Sequence, residues 1–89
     1  MNAALKPADY STLPLELWTV TDLTDALTVE RAAELLDTTK RAIYTIRNTN
    51  VLSVPRTMVL IEAVRRDEER CRNELMVRRN AQYTRAGKV

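Results

Sequence analysis

The chain has 89 residues, a single cysteine and no histidine, and its formal net charge is +2. One cysteine excludes an internal disulfide, and the lack of histidine argues against a zinc site. Only one glycine is present. This scarcity of glycine leaves few positions for tight hairpins, so we expect an all-α protein. A domain of this size buries only about two-thirds of its unfolded surface, and oligomerisation is the obvious further source of stability.

The charge changes sign along the chain. Residues 1–27 hold one basic and four acidic residues, whereas residues 65–89 hold eight basic and four acidic ones. A basic C-terminal part favours a polyanionic partner. The first residues lack the apolar run of a signal peptide, and no stretch approaches the ~20 apolar residues of a membrane span. We therefore expect a cytoplasmic protein with no membrane partner.

Residues 1–12 are mostly small or polar and are expected to form a loosely ordered arm. Beyond them, leucines recur at helical spacing as far as Leu27, but the β-branched run around Val20 disfavours a helix. We predict a short helix over residues 22–27 with Thr21 as its N-cap. The preceding segment, which carries Trp18, is predicted to be extended or partly helical.

A one-sided apolar stripe follows, which predicts a helix that ends at Leu36. The apolar residues Val29, Ala32 and Ala33 share its spacing of three and four residues. Thr28 precedes this stripe and is a good N-cap residue. The small side chain of Ala33 lies where a second helix must approach closely.

Asp37 and Thr38 interrupt the pattern, and either Thr38 or Thr39 is placed to cap the next helix. The apolar residues of that helix, Ala42, Ile43 and Ile46, share one face. The rest of its surface is polar and carries Lys40, Arg41, Tyr44, Thr45, Arg47 and Asn48.

The last part of the chain predicts a turn at residues 48–50, an extended segment at 51–54, and a helix with Pro55 in its first turn. No glycine or proline follows until residue 87. Either one helix of about 40 Å runs to about Ala81, or a break near Asp67 divides it into two. In one interpretation Met58, Ile61 and Val64 close the core and the distal part is solvated. In the other a coiled-coil seam pairs two copies through Ile61, Val64, Cys71, Leu75 and Met76.

The two helices and the turn in residues 28–48 have the spacing of a helix-turn-helix. This segment resembles the Cro/cI-type helix-turn-helix regulators of phages and plasmids, and the resemblance extends more loosely through residues 55–64. Asp37 stands where that family usually has glycine. Asp tolerates the left-handed backbone less well than glycine but better than most residues.

The resemblance implies a recognition helix over residues 39–48 that enters the major groove of double-stranded DNA. Lys40 and Arg41 are candidates for guanine, where a bidentate contact discriminates by ~1–3 kcal/mol. The base-reading set it implies is Thr39, Lys40, Arg41, Tyr44 and Thr45. The phosphate-binding set it implies is Thr28, Arg47, Asn48, Asn50 and Arg56.

The sequence thus predicts four to five helices, with a helix-turn-helix domain over residues 13–66, a dimerisation helix over 67–82 and a frayed tail over 83–89. The predicted function is a sequence-specific DNA-binding regulator, a repressor by analogy with the family, that binds a near-palindromic operator as a homodimer. The alternative is a protein-interaction module, such as an anti-repressor or adaptor acting through Leu75 and Met76, or a DNA-bending excisionase-like protein.

The sequence offers no case for an enzyme. It has no histidine and no glycine-rich phosphate loop, and no nucleophile stands at a recognisable spacing from a base. No cofactor, metal or small-molecule substrate is expected.

Overall fold

The computed structural model describes the backbone of residues 9–87 and the side chains of residues 9–81. This part of the chain forms five α-helices and contains no strand. A 3-10 turn at Leu15–Leu17 precedes the helices, which are α1 (Val20–Leu27), α2 (Val29–Leu35), α3 (Lys40–Thr49), α4 (Val54–Arg66) and α5 (Glu68–Gly87). No helix in the described range is both long and apolar enough to cross a membrane.

The N-terminal segment packs on α5. Residues 1–8 of the predicted arm lie outside the described residues, but residues 9–12 are not loose. The ring of Tyr10 is buried and meets Trp18 edge-on at a centroid distance of 5.6 Å. Arg72 of α5 donates hydrogen bonds to the carbonyl oxygens of Tyr10 (2.8 Å) and Leu13 (2.7 Å). Aromatic packing and the hydrogen bonds from Arg72 therefore fix a segment that is predicted from its composition to be loosely ordered.

Helix α1 begins two residues before the predicted start, and the predicted N-cap at Thr21 is wrong. Thr19 is the cap, because Asp22 at the third helical position completes a capping box with it. The Thr19 hydroxyl accepts from the Asp22 N–H (3.1 Å), and the Asp22 carboxylate accepts from the Thr19 N–H (3.0 Å). The buried side chains of α1 include Leu23 and Ala26.

Helices α2 and α3 follow the predicted pattern closely. The Thr28 hydroxyl caps α2 by accepting from the Arg31 N–H, and the Thr39 hydroxyl caps α3 by accepting from the Ala42 N–H, each at 3.1 Å. Between the helices Asp37 has a φ of 54°, in the left-handed region. Helix α3 ends at Thr49, so residues 48 and 49 of the predicted turn are helical. Its C-cap residue Asn50 is also left-handed and donates its N–H to the Ile46 carbonyl oxygen at 2.7 Å.

The C-terminal part consists of two helices that meet at Asp67. This residue has φ −141° and ψ 49°, which is not helical, so the single long helix does not form. Helix α1 packs against both α4 and α5. The backbone of α5 stays helical to Gly87, beyond the predicted end near Ala81, so the predicted frayed tail is helical through residue 87; residues 88 and 89 lie outside the described range.

The predicted dimer seam is instead part of the core of the single chain. Side-chain exposure is 5% for Ile61 and 0% for Val64, Cys71 and Leu75. Met76 is partly buried, and its sulfur accepts from the Tyr10 N–H at 3.2 Å. The bend at Asp67 lets α4 and α5 both turn their apolar faces onto α1, so these residues are covered without a second copy. Leu75, one of the two residues of the predicted docking surface on this helix, is therefore fully buried, and the other, Met76, is partly buried.

Candidate nucleic-acid interface

The outer face of α3, defined as Thr39, Lys40, Arg41, Tyr44 and Thr45, is exposed at every position. The opposite face is anchored, since Ile43 is 1% exposed and Ile46 is half-buried against the core. Helix α3 therefore lies on the protein as a rod with one apolar and one polar side. All five predicted base-reading residues lie on the polar side, which also carries the exposed Asn48.

The two cations of the first turn of α3 are held weakly or not at all. The Lys40 Nζ lies 3.8 Å from the Glu30 Oε2, and both side chains are more than half exposed. A pair of this kind contributes little in water. Arg41 has no ion-pair partner within 4 Å among the described side chains. Both cations can therefore meet an anion without breaking a strong internal contact.

Two polar side chains of this face also serve the helix itself. The Thr39 hydroxyl caps α3, as described above. The Thr45 hydroxyl donates to the Arg41 carbonyl oxygen at 3.2 Å, which leaves the methyl group and a lone pair of Thr45 as its outward features. Tyr44 is 55% exposed, which is high for an aromatic residue on a helix of a small domain.

The predicted phosphate-binding residues are not equivalent in the structure. Asn48, Asn50 and Arg56 are exposed. Thr28 is exposed as well, but its hydroxyl already caps α2. Arg47 differs from all of these, because it is bound to the protein. Its Nη2 lies 3.0 Å from the Asp25 Oδ1, and its side chain is only 23% exposed, so it is not a free phosphate ligand.

A cluster of buried and partly buried charges joins α3 to the helices beneath it. Asp22 and Asp25 of α1 receive the guanidinium of Arg79 from α5, with the Arg79 Nη2 2.8 Å from the Asp22 Oδ1 and the Arg79 Nη1 3.0 Å from the Asp25 Oδ2. The Tyr10 hydroxyl donates to the same Asp22 oxygen at 3.1 Å. Asp25 also binds Arg47, so the cluster joins α1, α3 and α5.

Burial shifts the pKa values of two groups in this cluster. It raises the pKa of Tyr10, and the nearby Asp22 carboxylate adds to the rise. Burial opposes the charge of Arg79, yet hydrogen bonds to Asp22, Tyr10 and Asp25 together raise its pKa. Arg79 therefore stays charged inside the fold. The sequence signal for the cluster is two acidic residues three positions apart in α1, whose other residues are uncharged.

No protein-family model, no curated protein and no solved structure matches this chain.

Proposed function

We propose that the protein binds double-stranded DNA sequence-specifically through the outer face of α3 and regulates transcription. The observation that carries this proposal is the exposure of Lys40, Arg41, Tyr44 and Thr45 on a helix whose other side is anchored by Ile43. An α-helix with its side chains is about 10–12 Å wide, and the major groove of B-DNA is about 12 Å wide. A helix presented in this way fits that groove.

The roles follow from position and chemistry. Lys40 and Arg41, in the first turn of α3, would donate to guanine O6 and N7. Tyr44 and Thr45, one turn further, would contact a thymine methyl group or a phosphate. Asn48 and Asn50, exposed at the end of α3, would bind phosphates and fix the position of the helix without reading sequence.

By the resemblance to Cro/cI-type regulators, we extend the proposal to a homodimer that represses from a near-palindromic operator. Two recognition helices would then lie about 34 Å apart, one turn of the duplex. The core residues Ile61, Val64, Cys71 and Leu75 are excluded as the contact surface by their burial. Other residues must form the dimer contact.

The test is selection from a random duplex pool followed by binding measurements across a series of salt concentrations. We expect the wild type to enrich one sequence family, and its affinity to fall steeply as salt rises, because phosphate contacts release counterions. The double variant Lys40→Ala/Arg41→Ala should lose the preference for the selected sequence.

The matched control is Arg65→Ala. Arg65 lies near the end of α4, where its Nη2 pairs with the Glu16 Oε2 at 2.6 Å, and it lies outside α3. The control removes a surface guanidinium but should keep sequence preference. Specific binding that survives the Lys40/Arg41 double change, or that disappears equally with Arg65→Ala, would refute the assignment of α3.

A further inference from the structure

Arg47 differs from the two cations of the first turn of α3 in what holds it. Its Nη2 lies 3.0 Å from the Asp25 Oδ1, and the two side chains are 23% and 15% exposed. By contrast, the pair of Lys40 with Glu30 is longer, at 3.8 Å, and largely exposed. The contact between Arg47 and Asp25 is shorter and better shielded from water, so it is the stronger restraint.

The Asp25 carboxylate is itself held in place from the other side. Its Oδ2 accepts from the Arg79 Nη1 at 3.0 Å, while its Oδ1 faces Arg47. Arg79 is in turn fixed by Asp22 at 2.8 Å. Because Arg79 already holds the Asp25 carboxylate in place, little side-chain entropy is lost on the Asp25 side when Arg47 binds it. This preorganisation makes Asp25 an effective partner for Arg47.

Arg47 is nevertheless at the edge of the proposed DNA-binding surface. Its guanidinium lies 5.9 Å from the centre of the exposed Tyr44 ring. Both residues line a solvent-open groove together with Thr28 and with Arg78 of α5. Asp25 and Glu30 line the same groove, so an anion beside Tyr44 would have to draw Arg47 away from Asp25.

We propose that Asp25 competes with DNA phosphate for Arg47 and thereby sets how strongly the protein binds DNA irrespective of sequence. This inference rests on the proposed function. A phosphate contact adds affinity to every duplex alike and carries no sequence information. By keeping Arg47 on the protein, Asp25 leaves binding to depend more on Lys40 and Arg41. Asp25 is a positioning residue that acts through Arg47 and does not touch DNA.

The experiment measures the affinity for a random-sequence duplex by fluorescence anisotropy across a salt series. Asp25→Asn should raise this affinity about threefold to tenfold at low salt, because Arg47 gains a phosphate. The slope of log affinity against log salt should steepen by about one unit. In an Arg47→Ala background, Asp25→Asn should change neither quantity.

Glu16→Gln is the matched control, since it makes the same change of net charge and releases an arginine that lies outside α3. Glu16 pairs with Arg65 at 2.6 Å, with side chains 64% and 47% exposed, and neither residue lines the groove beside Arg47 and Tyr44. We expect it to change the affinity less than twofold and to leave the slope unchanged. Circular dichroism at the assay temperature establishes that each variant is folded.

A second variant keeps the test decisive if Asp25→Asn does not fold. Arg47→Gln in the otherwise wild-type chain should leave the salt slope unchanged, because Arg47 makes no phosphate contact while Asp25 holds it. A slope that becomes shallower by about one unit would overturn the inference. An Asp25→Asn variant that binds more weakly than the wild type, that binds as Glu16→Gln does, or that keeps its effect in the Arg47→Ala background would also overturn it.

These outcomes separate the inference from the proposed function. If binding depends on Lys40 and Arg41 but the salt slope does not change in Asp25→Asn, only the role of Asp25 is overturned. A wild type that binds no duplex at any salt concentration overturns both.

Discussion

Replacing Arg79 by alanine tests whether the buried charge cluster holds the fold together. The Arg79 guanidinium is 16% exposed and makes two short contacts, at 2.8 Å to Asp22 and 3.0 Å to Asp25, whose side chains are 8% and 15% exposed. Without the guanidinium, the Asp22 and Asp25 carboxylates lose their shared cationic partner and both face the cavity that it leaves. The lost interactions are charge-assisted hydrogen bonds, which contribute about 1.5–3 kcal/mol each.

The net cost is smaller than the sum of these contacts, because both carboxylates keep other partners. Asp22 still accepts from the Tyr10 hydroxyl and the Thr19 N–H, and Asp25 still pairs with Arg47. We therefore expect Arg79→Ala to lower the free energy of unfolding by about 2–4 kcal/mol. For a domain of this size each kcal/mol lowers the melting temperature by roughly 4–8 °C.

The neighbouring residue provides the control. Arg78→Ala makes the same substitution on the same helix, but Arg78 is 45% exposed and lies 3.6 Å from Glu74, so its loss should cost less than about 0.5 kcal/mol. Urea titration followed by circular dichroism gives both free energies. If Arg79→Ala costs no more than Arg78→Ala, the cluster contributes no more than an ordinary surface pair and our account of it is wrong.

Three further predictions concern single side chains of the fold. Thr39→Ala should destabilise the protein by about 1 kcal/mol in thermal melts through loss of the α3 cap, while Thr39→Ser should retain most stability, and equal stability of the two would contradict the capping role. Leu75→Ala should cost about 2–5 kcal/mol in urea titrations, because Leu75 is fully buried, and a cost below 1 kcal/mol would contradict its place in the core. Burial raises the pKa of Cys71 above its ordinary value of 9.0, so stability should fall as the pH rises past that value, and a disulfide reagent at neutral pH should label the thiol only on unfolding. Immediate labelling of the native protein would contradict this burial.

The elements that the sequence predicts well are those decided by neighbouring residues. Thr28 and Thr39 cap α2 and α3 as predicted, and Asp37 adopts the left-handed backbone that the turn requires. Capping threonines and apolar spacing act within a few residues, so they can be read from the chain directly. The all-helical character follows from the same local signals.

The mistakes arise where distant residues decide the outcome. The N-cap of α1 is the exception, because Thr19 caps this helix through a capping box with Asp22, which is a local signal. The sequence left one long helix and a break near Asp67 as alternatives, and the break is the one that forms, without glycine or proline, where α4 and α5 both pack on α1. Periodicity alone could not separate a seam between two copies from a face that folds back onto the same chain.

The candidate site shows the same division. The polar face of α3 follows from helical spacing once the helix is placed. The state of Arg47 does not, because its partner Asp25 lies on α1 and is itself fixed from α5. From the sequence, all three basic residues of the helix are assigned to DNA contacts, whereas in the structure Lys40 and Arg41 face solvent and Arg47 is held by Asp25.

The most direct test of the central claim is an NMR titration of the labelled protein with a duplex at low salt. We expect the largest amide shifts on α3, at Lys40, Arg41, Tyr44 and Thr45, and smaller shifts near Asn50. The same titration at high salt should abolish them, because the phosphate contacts weaken. Shifts confined to α5, or no shifts on α3 at saturating duplex, would show that DNA does not cover this helix.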